Sequence, residues 1–172
     1  VRLMKNQILN IIIMMFSVLI TLFIFEIFLI TKNWLTPNYD VEMWKYSKSL
    51  KEKSENPAIG HIHKKNKTKV LQNVIIKTNN FGIRGDDISN NNVSERKIII
   101  IGSSIPLGWG VKEENTVSSK LEQAAKKNGL NWSVYNAGIG NYNTERYINN
   151  YLENLSTIET DTIVVIYFVN DT

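Results

Sequence analysis

The sequence predicts an α/β protein with a parallel sheet, preceded by one transmembrane helix. Three observations carry that expectation. Residues 8–30 are almost unbroken apolar sequence; three short apolar runs follow at 97–101, 132–138 and 161–169; and helix-like segments stand between those runs. Strand, helix, strand, helix, strand implies two right-handed βαβ crossovers, and hence strands that run parallel.

The N-terminal run comes first. Only Asn10, Ser17, Thr21 and Glu26 interrupt "ILNIIIMMFSVLITLFIFEIFLI". At 1.5 Å per residue it reaches roughly 34 Å, enough to cross a hydrocarbon layer of about 30 Å. A cleaved signal peptide is the competing reading, but "FLITKNWL" offers no small-residue cleavage pattern. Residues 1–31 therefore read as an uncleaved, single-pass membrane anchor, with Glu26 an interfacial residue near its far end. Basic residues flank both ends. Orientation then follows the usual arrangement for such an anchor, a short basic N-terminus inside and the bulk of the chain extracytoplasmic.

Residues 32–95 read as a polar juxtamembrane or linker region. Within it, 41–54 reads as a short amphipathic helix with Val41, Trp44 and Leu50 on one side. "VLQNVIIKT" (70–78) reads as one strand and "NNFGIRG" (79–85) as a turn. Lys64, Lys65, Lys67 and Lys69 form a basic run that reads as solvated. The formal charge is only +4, and basic residues are not interleaved with aromatic ones, so no nucleic-acid partner is expected. The chain has no cysteine, which rules out disulfides and leaves the redox compartment open. His61 and His63 alternate as strand neighbours do and read as an exposed or substrate-facing pair. Without further ligands nearby they predict no metal site, and no other cofactor is expected.

From residue 96 the texture changes. "KIIII" (97–101) is a continuous apolar run, as in a strand buried on both faces. "NTVSSKLEQAAKKNG" reads as a helix with Asn115 as its cap and Gly129 as its stop. "WSVYNAG" (132–138) is the second strand. In the second helix, 143–155, Tyr147, Ile148, Tyr151, Leu152 and Leu155 share one stripe. The third strand is "DTIVVIYFV" (161–169). Ligands of parallel sheets sit beyond the carboxyl ends of the strands. The residues to inspect are therefore Gly102-Ser103-Ser104, Asn136 to Asn143, and Asn170-Asp171.

A serine becomes a nucleophile when a base takes its proton and donors hold the oxyanion it creates. Ser104 opens the first loop, where glycines at 102, 108 and 110 allow tight turns. Backbone N–H groups around Gly140 and Asn141, and the amide of Asn170, are candidate oxyanion donors. Each element alone is a common turn; their specificity lies in three such segments, in order, each after an apolar strand. A dinucleotide site is excluded, because "GSSIPLGWG" lacks the G-x-G-x-x-G spacing and Trp109 would crowd a pyrophosphate.

These segments resemble the front half of an SGNH hydrolase, the GDSL-type lipase/esterase superfamily. Gly102-Ser103-Ser104 with "IPLGWGV" is similar to its first block, "NAGIGNYNTERY" to its second and "VVIYFVND" to its third; "NNFGIRG" also resembles membrane-anchored members. The resemblance implies a flavodoxin-like three-layer fold, Ser104 as nucleophile, and an oxyanion hole around Gly140, Asn141 and Asn170. Ser103 stands where aspartate is usual, and Asn141 where glycine is typical. The Asp-x-x-His block that supplies the family's base has no match in these 172 residues, so 96–172 is expected to be an inactive N-terminal portion of the hydrolase domain. The implied partner is an acyl ester, with O-acetyl groups of cell-envelope polysaccharide as one source. Hydrolysis and acyl transfer both remain open, and a non-catalytic binding domain on the same scaffold is the rival reading.

Overall fold

The computed structural model describes residues 2–89 and 93–169, in two units, Val1–Tyr39 and Asp40–Thr172. The first unit is helix α1, Arg2–Leu35. Its large apolar side chains from Ile8 to Leu35 are exposed on every side. A helix that is apolar all round has no single stripe for a small core and belongs inside a large core or a membrane. Two of its hydroxyls are satisfied within the helix: Thr21 and Thr31 donate to the carbonyls of Ser17 and Ile27 at 2.9 and 2.8 Å. The helix is long and apolar enough to cross a membrane, a test that a signal sequence also passes.

The second unit opens with more structure than a polar linker would carry. Helix α2 (Tyr39–Leu50) runs straight into strand β1 (Lys51–Lys53), which pairs antiparallel with β2 (His61–His63). The expected helix thus ends four residues early, and its buried face is Glu42, Tyr46 and Leu50, at i, i+4 and i+8. Val41 and Trp44, expected on that face, are exposed. The expected single strand 70–78 is instead a hairpin, β3 (Lys67–Leu71) and β4 (Val74–Thr78). Gln72 and Asn73 both take positive φ, 49° and 59°, as the two-residue turn that suits strand twist requires. Tyr46, Leu50, Leu71, Val74 and Ile76 form one apolar cluster, so α2 lies against the hairpin.

The central sheet has the order β6-β5-β7, from β5 (Arg96–Gly102), β6 (Trp132–Gly138) and β7 (Thr162–Ile166), all parallel. β5 lies in the middle, and Ile98 to Ile101 are buried on both faces as expected. Ile98 and Ile100 pack toward Leu121 of the helix that links β5 to β6; Ile99 and Ile101 pack toward Tyr147 and Leu155 beyond β6. Helices therefore cover both faces. The isolated bridges Thr78↔Arg84 and Arg84↔Asn136 tie the hairpin to β6.

Three helices complete the unit: one-turn α3 (Ser104–Leu107), α4 (Val117–Lys127) and α5 (Thr144–Asn150), the last continuing as a π turn over Tyr151–Leu155. The cap of α4 is Thr116, not Asn115, which ends a short 3-10 turn just before it. The Thr116 hydroxyl accepts from Ser119 N–H at 3.3 Å. Gly129 stops that helix as expected, with φ 78° and paired bonds back to Lys126 and Ala125 from itself and Leu130. On α5 and its extension the stripe narrows: Tyr147 and Leu155 are buried, whereas Ile148 and Leu152 are exposed. Pairing of the third strand stops at Ile166, short of the expected 169.

Candidate active site

The strand ends meet at one edge of the sheet. Gly102 pairs with Gly138 on one side and with Ile166 on the other. The ladder runs one step further, where Ile139 N–H donates to the Gly102 carbonyl at 3.1 Å. The loops that begin at Ser103 and at Ile139 therefore leave the sheet side by side. Asn170, the third expected oxyanion residue, lies outside the described residues.

Glycine is required at both paired positions. A Cβ on Gly138 would lie 2.1 Å from the Leu107 nitrogen, so α3 sits directly on that glycine. Gly102 takes φ 150°, and a Cβ there would lie 2.5 Å from the Ile166 carbonyl oxygen. Ser104 is the first residue of α3 and is half-buried. Its hydroxyl and its N–H make no hydrogen bond among the described residues. Ser103 is buried and has a bonding partner of its own.

Arg84, in the segment read as a simple turn, holds the far end of this first loop. It is only 2% exposed. Nη1 donates to the carbonyls of Leu107 and Gly108 at 2.7 and 2.9 Å, Nη2 to Val111 at 2.8 Å, and Nε to Glu113 at 2.6 Å. A planar guanidinium suits this task, because its donors diverge in a fixed fork. A single arginine in a turn-like stretch gives no sequence signal of such a role.

The second loop is held at Gly140 from both ends of one residue. Gly140 N–H donates to Tyr46 Oη at 3.0 Å, and its carbonyl accepts from Lys51 Nζ at 2.5 Å and lies 3.3 Å from His61 Nε2. The Gly140 amide is thus already taken, which removes it from the expected set of free oxyanion donors. Asn141 differs. Its φ is 65°, the left-handed conformation that asparagine tolerates, and its N–H makes no hydrogen bond among the described residues. The Gly140 C=O and the Asn141 N–H belong to one planar trans peptide and point oppositely. Lys51 and His61, by gripping the carbonyl, fix the direction of that free amide.

Of the pair expected to be exposed or substrate-facing, neither histidine is exposed; His61 is half-buried and lines a cleft. His63 is 2% exposed; its Nδ1 lies 3.0 Å from the Gly82 carbonyl, and its Nε2 2.6 Å from Tyr46 Oη. Since a carbonyl only accepts, Nδ1 carries the proton and Nε2 accepts from Tyr46. The chain of donors therefore runs Gly140 N–H to Tyr46, Tyr46 O–H to His63, His63 N–H to Gly82. Burial first, then the nearby Lys51 charge, pulls His63 down to about 3 and half-buried His61 to about 4. Both stay neutral near pH 7, each occupied with backbone. Lys51 is pulled down to about 7 by burial, and further by Arg146. The 42/46/50 face that supplies Tyr46 mixes acid, phenol and leucine, so it carries no hydrophobic periodicity to read.

No group of three or more His, Asp or Glu side chains able to hold a metal occurs among the described residues. A cavity of about 950 Å³ lies between the hairpin and α4, away from Ser104 and Asn141. A second cleft, about 690 Å³, is lined by Asn141, His61, Lys51 and Arg146.

No protein-family model matches the chain, and no curated protein matches it. Among solved structures it is similar to a serine-to-alanine mutant of the esterase AlinE4, at 24% identity and a TM-score of 0.38. That match covers 41% of this chain and 39% of the esterase.

Proposed function

We propose that this chain carries the nucleophile side of an SGNH-type serine esterase or acyltransferase, anchored in a membrane by α1 with its α/β unit extracytoplasmic. One observation carries the reading. An unbonded, half-exposed Ser104 hydroxyl begins the loop that leaves the sheet beside the loop bearing the free Asn141 amide. In the proposed reaction Ser104 Oγ adds to an ester carbonyl. The N–H groups of Ser104 and Asn141 receive the charge that develops on the carbonyl oxygen, joined by the Asn170 side chain. The serine proton goes to a base that neither His61 nor His63 supplies; the SGNH reading assigns it to an Asp-x-x-His histidine. The substrate proposed is an O-acyl ester, such as acetyl on cell-envelope polysaccharide.

The second reading, a non-catalytic binding domain, is favoured by one fact: both described histidines are committed to backbone groups and to Tyr46. The test is hydrolysis of p-nitrophenyl acetate by the natural gene product in neutral detergent. Under the esterase reading Ser104→Ala lowers turnover by about 10³-fold or more. Equal turnover in the variant overturns the nucleophile, and no turnover in the parent favours the binding domain.

A further inference from the structure

The cleft of about 690 Å³ beside Asn141 has an unusual balance of charge. Its lining includes Lys48, Lys51, Lys53, Lys64 and Arg146, against the single carboxylate of Glu52. None of those five cations forms an ion pair among the described residues. Three are instead held by carbonyls. Lys51 Nζ donates to Gly140 at 2.5 Å, Lys64 Nζ to Lys48 at 3.0 Å, and Arg146 Nη1 to Asn141 at 3.3 Å.

Those bonds orient the cations without neutralising them. Lys51 is 8% exposed, and its ammonium also lies over the Tyr46 ring, 4.4 Å from the centroid. An ammonium has three N–H donors, so capacity toward the cleft remains. Removing a cation from water next to another cation is unfavourable unless an anion offsets it. Arg146 is among the causes that drive Lys51 toward its neutral form. An anion lodged between them would reverse that repulsion and accept from both.

We propose that this cleft binds an anionic group, a carboxylate or phosphate, on the part of the substrate remote from the ester. Only the connection to a substrate rests on the esterase reading; the affinity for anions stands without it. The cleft favours a soluble ligand over a membrane surface, because two of its charges, buried Lys51 and half-buried Arg146, are withdrawn from the exposed face that Lys48 and Lys53 present. Asn141 lines the same recess, and Lys51 and His61 in its lining hold the carbonyl of the peptide whose N–H is the proposed oxyanion donor.

The test is calorimetric titration of the detergent-solubilised chain with trigalacturonate, with inorganic phosphate, and with the neutral trisaccharide galactotriose. Both anions should bind and galactotriose should not. Arg146→Gln, and independently the exposed Lys53→Gln, should each weaken binding by about tenfold. Far-UV circular dichroism confirms that each variant is folded. Equal affinity for the neutral sugar, or no effect of either substitution, overturns the site. So does binding to anionic phospholipid vesicles that exceeds binding to soluble anions. Ser104→Ala separates the two readings, since it should retain anion binding even where hydrolysis is lost.

Discussion

Tyr46 contributes one phenolic oxygen that accepts from Gly140 N–H and donates to His63, all inside the fold. Tyr46→Phe keeps the ring and its packing but leaves the Gly140 amide and His63 Nε2 without partners. Leaving buried polar groups unpaired costs about 1–3 kcal/mol each, so the variant should lose about 2–4 kcal/mol, read from chemical denaturation in detergent. A loss below about 0.5 kcal/mol would show that the relay is not formed. Residues of this kind were the least legible in the sequence. Ser104 stood out as a candidate because it follows an apolar strand, and Asn141 through the resemblance of its segment to the second SGNH block. Tyr46, Lys51 and Arg84 act on backbone groups 23 to 94 residues away, and no local pattern marks such a partner.

At the scale of elements, α3 and β6 touch through Gly138 with no room for a methyl group. Gly138→Ala must push α3, and Ser104 with it, off the sheet edge. The expected cost is about 3 kcal/mol. Gly129→Ala is the matched comparison. Its φ is also unfavourable at 78°, but nothing lies within 4 Å, so it should cost only about 1–2 kcal/mol. Thermal unfolding of the two variants side by side separates crowding from backbone preference. The elements themselves were legible wherever one residue type ran unbroken, as in β5. They were not where a turn was made from ordinary residues. Gln72 and Asn73 reverse the chain without glycine or proline, so the hairpin read as one strand.

Across the whole molecule, buried titratable groups set how stability follows pH. Lys51 is enclosed by Tyr46 from α2, His61 and His63 from β2, and Arg146 from α5, and sits at about 7 against an ordinary 10.5. Between those values the unfolded chain holds more protons than the folded one, so stability should climb from pH 7 to 10. Above about 10 the slope should reverse, since burial holds Tyr46 and Tyr142 protonated only in the fold. On the acid side, His61 and His63 are lowered to about 4 and about 3. Stability should therefore fall as pH drops below 6.5. Melting curves from about pH 4 to 11 test these limbs; Lys51→Met should flatten the alkaline climb and, by removing a charge that lowers His61 and His63, also soften the acid fall. The parallel sheet was legible at this scale, because its alternation of elements is confined to residues 96–172. The role of residues 40–95 was not. Their polar composition conceals isolated buried residues, Tyr46, Leu50, Ile59 and Ile76 among them, that build cores only after chain reversal.

The peptide between Gly140 and Asn141 leaves a signature that needs no substrate. Gly140 N–H is locked inside, whereas the next amide along the chain faces outward with no acceptor. In heavy water the first should keep its proton about as long as the fold survives, and the second should exchange near the rate of a free chain. Such an abrupt step between two adjacent residues would record, in a single spectrum, that the loop holds one amide and leaves the next one free.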